Sequence, residues 1–223
     1  MKRLTWGHMT NHPDTAPQGT RAELIAAGLN LFGRKGFAAT STRALAAAAN
    51  TNVASIAYHF GSKDGLRRAC GEEVARRVGG VLAQAGTDMP ATPASAAMRI
   101  EQMLRRMVLF LAGSYDADDI VGFMLREIGE DGPVLDDVYS TMIEPMHRRF
   151  CALWAIATGR EAESEATRLV VFSVIGQVLY FRIGRPIVER RLGWSALGPA
   201  EAARIGDLLA ANLHAILDRE RTQ

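Results

Sequence analysis

The segment Asn52-Val53-Ala54-Ser55-Ile56-Ala57-Tyr58-His59-Phe60-Gly61-Ser62-Lys63-Asp64-Gly65-Leu66 decides how this chain is read. Asn52 is an N-cap residue for a short helix over 53–60, in which Val53, Ile56 and Phe60 point inward. Gly61 breaks that helix, and Ser62 caps another that starts at Lys63. Working backwards, Ser41 caps a helix over 42–50 whose Leu45, Ala46 and Ala49 form a small buried face. Asn50-Thr51-Asn52 makes the turn, with Asn50 able to take a left-handed conformation. Further upstream, Thr20-Arg21-Ala22-Glu23 fits a capping box, so a helix begins there with Leu24, Ala27, Gly28, Leu31 and Phe32 along one stripe. Gly36 ends it, and Phe37 folds back as an apolar anchor. Three helices with a three-residue turn between the last two outline a helix-turn-helix, whose short exposed second helix can carry its first side chains to base edges in a major groove. The same pattern also fits a plain three-helix packing unit.

Downstream, strand signals are nearly absent and helical spacing continues. The fourth helix runs from 63 to about 83, a Pro-containing link covers 86–94, and further helices are expected over 95–113, 119–128, 134–158, 163–184 and from 199 to about 219. Leu192-Gly193-Trp194 falls in the loop before the last of them. The fold class is therefore all-α, divided into an arm over 1–17, a helix-turn-helix domain over 18–66 and a helical body over 67–223, of which 67–83 is the connecting helix. Gly7-His8-Met9 leaves open a tag remnant or a start at Met9.

With 48% hydrophobic and 22% charged residues, a chain of 223 can bury a sizeable core and is not a disordered polymer. The net charge of +2 hides an asymmetry. Residues 1–80 hold 11 Lys and Arg against 5 Asp and Glu, whereas residues 81–223 hold 15 against 19. A basic first third suits a polyanionic partner, nucleic acid or an anionic membrane. Cys70 and Cys151 cannot form a disulfide framework, and a reducing cytoplasm suits them. Residues 1–17 lack the apolar run of an export signal. The most apolar stretch, 169–183, contains Ser173 and Gln177, is shorter than the roughly 18 residues of a membrane span, and reads as a buried helix. His8, His12, His59, His147 and His214 show no metal-ligand spacing, and neither a nucleophile elbow nor a phosphate-binding glycine loop occurs. No enzyme activity, metal or cofactor is expected.

Thr40-Ser41-Thr42-Arg43-Ala44-Leu45-Ala46 together with 52–66 resembles the TetR family of bacterial transcriptional regulators. Tyr58-His59-Phe60-Gly61-Ser62-Lys63 is the most specific part, and with Gly33, Gly36 and Phe37 the match spans about 20–66. The family's turn usually carries Gly and an apolar residue where this chain has Asn50 and Thr51, which bears on the angle between the two helices. Arg126-Glu127, Glu144-Pro145, Arg148-Arg149-Phe150, the run from Gly176 to Arg182 and Leu192-Gly193-Trp194 look like one subgroup, whose ligand-binding half goes by the name of the CerR-type C-terminal domain.

The resemblance implies a homodimer on palindromic operator DNA, released by a small-molecule effector. Thr40, Ser41, Thr42 and Arg43 would meet a phosphate, Asn52, Ala54 and Ser55 would meet bases, and Tyr58, His59 and Lys63 would clamp the backbone. Capping by Ser41, core burial of His59 and plain solvation of Lys63 are the competing roles. In the body, Met103, Met107, Phe110, Phe123, Met124, Phe150, Trp154, Gln177, Tyr180 and Phe181 are candidate cavity walls, any of which could equally be ordinary core. Arg126, Glu127 and His147 are candidate polar ligand contacts, with an ion pair or exposure to water as the alternatives. Leu169, Phe172, Gly176, Leu179 and Ile183 on one helix, with Ile205, Leu209, Leu213 and Ile216 on the last, are expected to form a four-helix dimer interface, with one larger monomeric core as the alternative. A transcriptional activator, a helical ligand carrier without DNA affinity and a structural adaptor are the other readings.

Overall fold

The computed structural model describes residues 17–113, 115–130 and 132–221, and the described residues form helices and connections only. The expected arm lies outside them except for Pro17, which opens α1 (Pro17–Lys35). This helix starts three residues before the Thr20 capping box, because proline is well suited to a first helical position where no N–H bond is needed. Gly36, at φ +80°, ends it. The reading-head helices α2 (Thr42–Ala48) and α3 (Ala54–Phe60) flank a turn in which Asn50 is left-handed at φ 49°. Leu24, Phe32, Leu45 and Ile56 are buried in the head's core, with Phe37 and Phe60 partly buried against them. Val53 is 43% exposed rather than inward, because α3 begins one residue after it.

The connecting helix α4 (Lys63–Ala83) leads to α5 (Pro93–Gly113) and α6 (Tyr115–Glu130), the latter longer at both ends than its apolar periodicity alone suggests. The expected helix over 134–158 is a continuous path of three pieces: α7 (Pro133–Val138), a π-helical segment Tyr139–Ile143, and α8 (Glu144–Thr158). Pro145 sits at the start of α8, where it has no N–H to give to the ladder behind it, and the hydrogen-bond register widens just before it. The long apolar helix is α9 (Glu165–Ile183), capped by Ser164, whose side chain accepts from the Thr167 N–H. At 19 residues it is long and apolar enough by composition to cross a membrane, yet Val171, Val174, Ile175 and Val178 are buried in the protein's own core. The expected loop before the last helix instead begins with α10 (Arg185–Leu192), in which Pro186 again occupies the first turn, and α11 (Pro199–Arg221) closes the fold.

Two cores result, and the head's core is not confined to the head. Ile120 and Phe123 of α6 and Val134 and Val138 of α7 complete it. Packing therefore joins residues on both sides of the sequence boundary at 66. Within α4, a Cβ on Gly71 would meet Val134 Cγ1 at 2.5 Å, so this glycine permits the close seating of α7. Gly79 and Gly80 have no such reason, since a Cβ on either would meet nothing within 4 Å. Each replaced by alanine should stabilise the protein by about 0.5–1 kcal/mol in urea unfolding, because a flexible helix-interior residue is removed without strain. Destabilisation by either change would show that α4 needs slack there.

Candidate nucleic-acid interface and ligand cavity

The head's surface is built from three side-chain caps. Ser41 Oγ accepts from the Ala44 N–H at 3.1 Å, Asn52 Oδ1 from the Ser55 N–H at 3.0 Å and Ser62 Oγ from the Gly65 N–H at 3.0 Å. They fix where α2, α3 and α4 start and hence which side chains lie at the head's outer rim. Arg43, Asn52, Ala54 and Tyr58 are exposed there, Tyr58 at 81%, and Thr42 is half-buried. His59 is half-buried with its ring edge-on to Tyr58 at 4.8 Å, so it props the tyrosine rather than filling the core. Lys63 Nζ lies 4.1 Å above the Phe37 ring, which orients the ammonium without neutralising it.

Two expected contacts are corrected. Thr40 is 1% exposed and its hydroxyl donates to the carbonyls of Gly36 at 2.7 Å and Leu31 at 3.2 Å, so it ties the turn after α1 and offers nothing to a phosphate. Ser55 Oγ lies 2.8 Å from Thr51 Oγ1 and 3.3 Å from Asn52 Oδ1, which occupies it within the turn. Two residues escaped the sequence reading. Val53 exposes its apolar branches at the start of α3, a shape that fits a thymine methyl. Arg21 stands 5.4 Å above the Phe60 ring and adds a cation on the α1 side.

Behind the head lies a cavity of about 310 Å³. Its walls are Val74, Val78, Val81 and Leu82 of α4, Met107, Phe110 and Leu111 of α5, and Ile120, Val121, Met124, Leu125 and Ile128 of α6. Met142 and Ile143 of the π-helical segment, Met146 and His147 of α8, and Phe172, Ile175, Gly176, Leu179 and Ile183 of α9 complete it. Met107, Phe110, Met124 and His147 are thus on its walls. The remaining candidates are elsewhere. Met103, Phe150 and Trp154 are buried in the body's core and Phe123 in the head's core. Gln177, Tyr180 and Phe181 border an outer groove between α9 and α11, where Asn212 Nδ2 donates to Gln177 Oε1 at 2.9 Å. Helical period put them on the right helix but could not say which face meets which neighbour. Met142 and Met146 were missed because the register shift at the π-helical segment hides which face turns inward.

Arg126 is exposed, whereas Glu127 is 2% exposed and accepts from Arg67 Nε at 2.7 Å. Arg67, itself 7% exposed, also reaches Glu130 at 3.0 Å and lays its guanidinium 4.6 Å from the Phe37 ring. On the same side of α6, Asp119 accepts from Asn30 Nδ2 of α1 at 2.8 Å. A Cβ on Gly33 would stand only 2.8 Å from the Phe123 backbone nitrogen. Two of the helices that wall the cavity, α4 and α6, are therefore also tied to the head.

The expected interface residues divide. Leu169, Phe172, Gly176, Leu179 and Ile183 form an exposed stripe on α9, with Leu169 at 61% and Phe172 at 53%. On α11, Ile205, Leu209 and Leu213 are buried in the chain's own core and Ile216 is partly buried against it, so they are not free for a partner; the exposed apolar residue of that helix is Leu208. Two apolar stripes in sequence look alike until packing uses one of them.

The comparisons with known proteins match this anatomy. The family model for bacterial regulatory proteins of the TetR family matches residues 24–70, and that for the C-terminal domain of the HTH-type transcriptional dual regulator CecR matches 96–218, more than half the chain. The chain belongs to the TetR family of bacterial transcriptional regulators. The subgroup's correct name is CecR, not CerR. The transcriptional dual regulator CecR of Shigella flexneri is 31% identical over 93% of this chain and 96% of its own. A TetR-like regulator from Rhodococcus sp. RHA1 shares the fold at TM-score 0.67 and 20% identity, covering 89% of this chain and 96% of its own. AibR, solved with isovaleryl coenzyme A and operator DNA, does so at TM-score 0.63 and 18% identity over 86% of this chain and 96% of its own. The head is thus a TetR-type helix-turn-helix, and the chain is a DNA-binding transcriptional regulator.

Proposed function

We propose that this regulator is a homodimeric repressor that leaves a palindromic operator when a small molecule fills the cavity between α4, α5, α6 and α9. The observation that carries the reading is the double duty of α4 and α6, each with one face on the cavity and another on the head. A ligand that spreads the Met124 and Val78 walls moves the Asn30–Asp119 and Arg67–Glu127 ties with them, and a coupling of about 1–3 kcal/mol is enough for a switch of this kind. The exposed α9 stripe supports pairing with a second copy, which brings two heads to half-sites about 34–36 Å apart. That AibR holds both an acyl thioester and operator DNA on the same fold is further support. The name of the CecR relative, a dual regulator, makes activation the second reading. Either output takes place in the cytoplasm, where bacterial DNA lies.

Operator fragments selected from the source genome, followed by a salt titration, test the reading. Lys63→Ala should weaken binding to every duplex alike and reduce the slope of log K against log salt by about one per head. Tyr58→Phe should weaken it in the same uniform way. An unchanged slope and affinity in Lys63→Ala would remove Lys63 from the interface, and a monomer on the operator by sedimentation would refute the dimer.

A further inference from the structure

The cavity's lining carries more information than its position. All of its wall residues but one are aliphatic, aromatic or thioether side chains, apart from Gly176. Pockets of this size ordinarily include a few polar groups that orient the ligand. Here the one polar side chain, His147, is already committed. Its Nε2 lies 3.2 Å from the Arg168 carbonyl oxygen and its Nδ1 3.6 Å from Cys151 Sγ. A carbonyl oxygen only accepts, so Nε2–H donates to Arg168, and burial, which pushes the Cys151 thiol up to about 11, keeps the sulfur protonated beside Nδ1. The ring's face stacks on Phe172 at 3.9 Å. Only a ring surface is left for the cavity.

The mouth has the same character. The exposed wall residues are Leu125 and Ile128 on α6 and Phe172, Gly176, Leu179 and Ile183 on α9; the α9 members belong to the stripe on which the second copy would sit, and none of the six carries a charge. Met107, Met124, Met142 and Met146 add unbranched, polarizable walls that reshape around different outlines. A buried anion or cation would lose its hydration with nothing to replace it.

Resting on the effector reading above, we infer that this cavity takes an uncharged, hydrophobic small molecule, recognised by shape and dispersion contacts and without a hydrogen bond from the protein. The class includes neutral aromatic and compact aliphatic compounds and excludes carboxylates, phosphates and ammonium ions of the same skeleton.

The test uses the full-length protein and the neutral dye N-phenyl-1-naphthylamine, whose emission rises in apolar surroundings. The dye should bind at one site per chain, naphthalene should displace it, and 2-naphthoate should need at least about a 100-fold higher concentration. Met124→Glu should weaken dye binding at least about tenfold. Met146→Gln, a milder change on α8, should weaken it several-fold with the thermal midpoint retained, which keeps the test valid if the first variant folds poorly. Equal displacement by 2-naphthoate and naphthalene would overturn the ligand class while leaving an effector cavity in place. Absence of dye binding, or binding undiminished in both folded variants, would overturn the class and the effector reading together.

Discussion

Glu127→Ala should destabilise the protein by about 3–5 kcal/mol, the usual loss when one member of a buried ion pair is removed and the other is left behind. Arg67 is the residue left behind. It is 7% exposed, and its remaining carboxylate partner, Glu130, is 39% exposed, so its field is partly screened by water. The site has no slack for rearrangement, because a Cβ on Gly132 would already stand 2.7 Å from an Arg67 nitrogen. In a chain of this length each kcal/mol moves the thermal midpoint by roughly 2–4 °C, so a drop of roughly 6–20 °C is expected. The double change Arg67→Met with Glu127→Leu should recover most of it. The native pair already carries a cost, since Glu127 Oε2 is buried without a hydrogen-bond partner. Thermal unfolding of the two variants settles the matter. A single-variant loss under about 1 kcal/mol would mean that Glu130 alone satisfies Arg67 and that this tie does not hold α6 to α4.

That pair also marks where sequence reasoning stops. Arg67 and Glu127 lie 60 positions apart, and no periodicity connects them. Glu127 stood out as a charge inside a bundle, but whether it meets a ligand, a cation or water depends on how α4 and α6 cross. The three caps of the head were legible because each acts across three residues, Ser41 to Ala44, Asn52 to Ser55 and Ser62 to Gly65. Thr40 misled for the complementary reason. A hydroxyl just before a helix looks like a phosphate donor until the turn at Gly36 brings two carbonyls to it.

The body shows the same division. Apolar spacing located α9 and α11 and their stripes, yet Leu213 and Leu169 carry identical chemistry and opposite fates, one buried and one 61% exposed. The cavity was half-foreseen for the same cause. Met107 and Met124 lie on regular helices whose inward face follows from period, whereas Met142 and Met146 flank a change of register that period cannot carry across. Pro145 and Pro186 were visible from the start, but proline permits a helix start without announcing whether the chain before it is loop or helix.

Gly65→Ala should weaken operator binding severely while leaving the cavity intact. Gly65 is the third residue of α4, and its N–H donates to the Ser62 cap at 3.0 Å. A Cβ there would overlap the Phe60 carbonyl oxygen, and backbone cannot swing aside as a flexible side chain would. The chain must then open between the end of α3 and the start of α4. Either the cap is lost or Phe60 is lifted from beneath the Arg21 guanidinium, and both tilt α3, which carries Ala54 and Tyr58. Overpacking of this kind costs about 1–3 kcal/mol, and the helix-propensity gain from removing a glycine offsets about 1 kcal/mol at most. Stability should therefore change little, by about 0–2 kcal/mol, while the reading surface is displaced. Operator affinity by fluorescence anisotropy should fall at least about 30-fold, which corresponds to about 2 kcal/mol. Binding of N-phenyl-1-naphthylamine should persist, since no cavity wall lies N-terminal to Val74. Gly79→Ala, the same chemical change four helical turns further along, is the internal control, because open space there predicts the opposite sign in stability and no loss at the operator. If Gly65→Ala binds operator within twofold of the parent protein, the α3–α4 corner yields to a methyl group and the head's orientation is set elsewhere, by the Gly33 approach to α6 rather than by this turn.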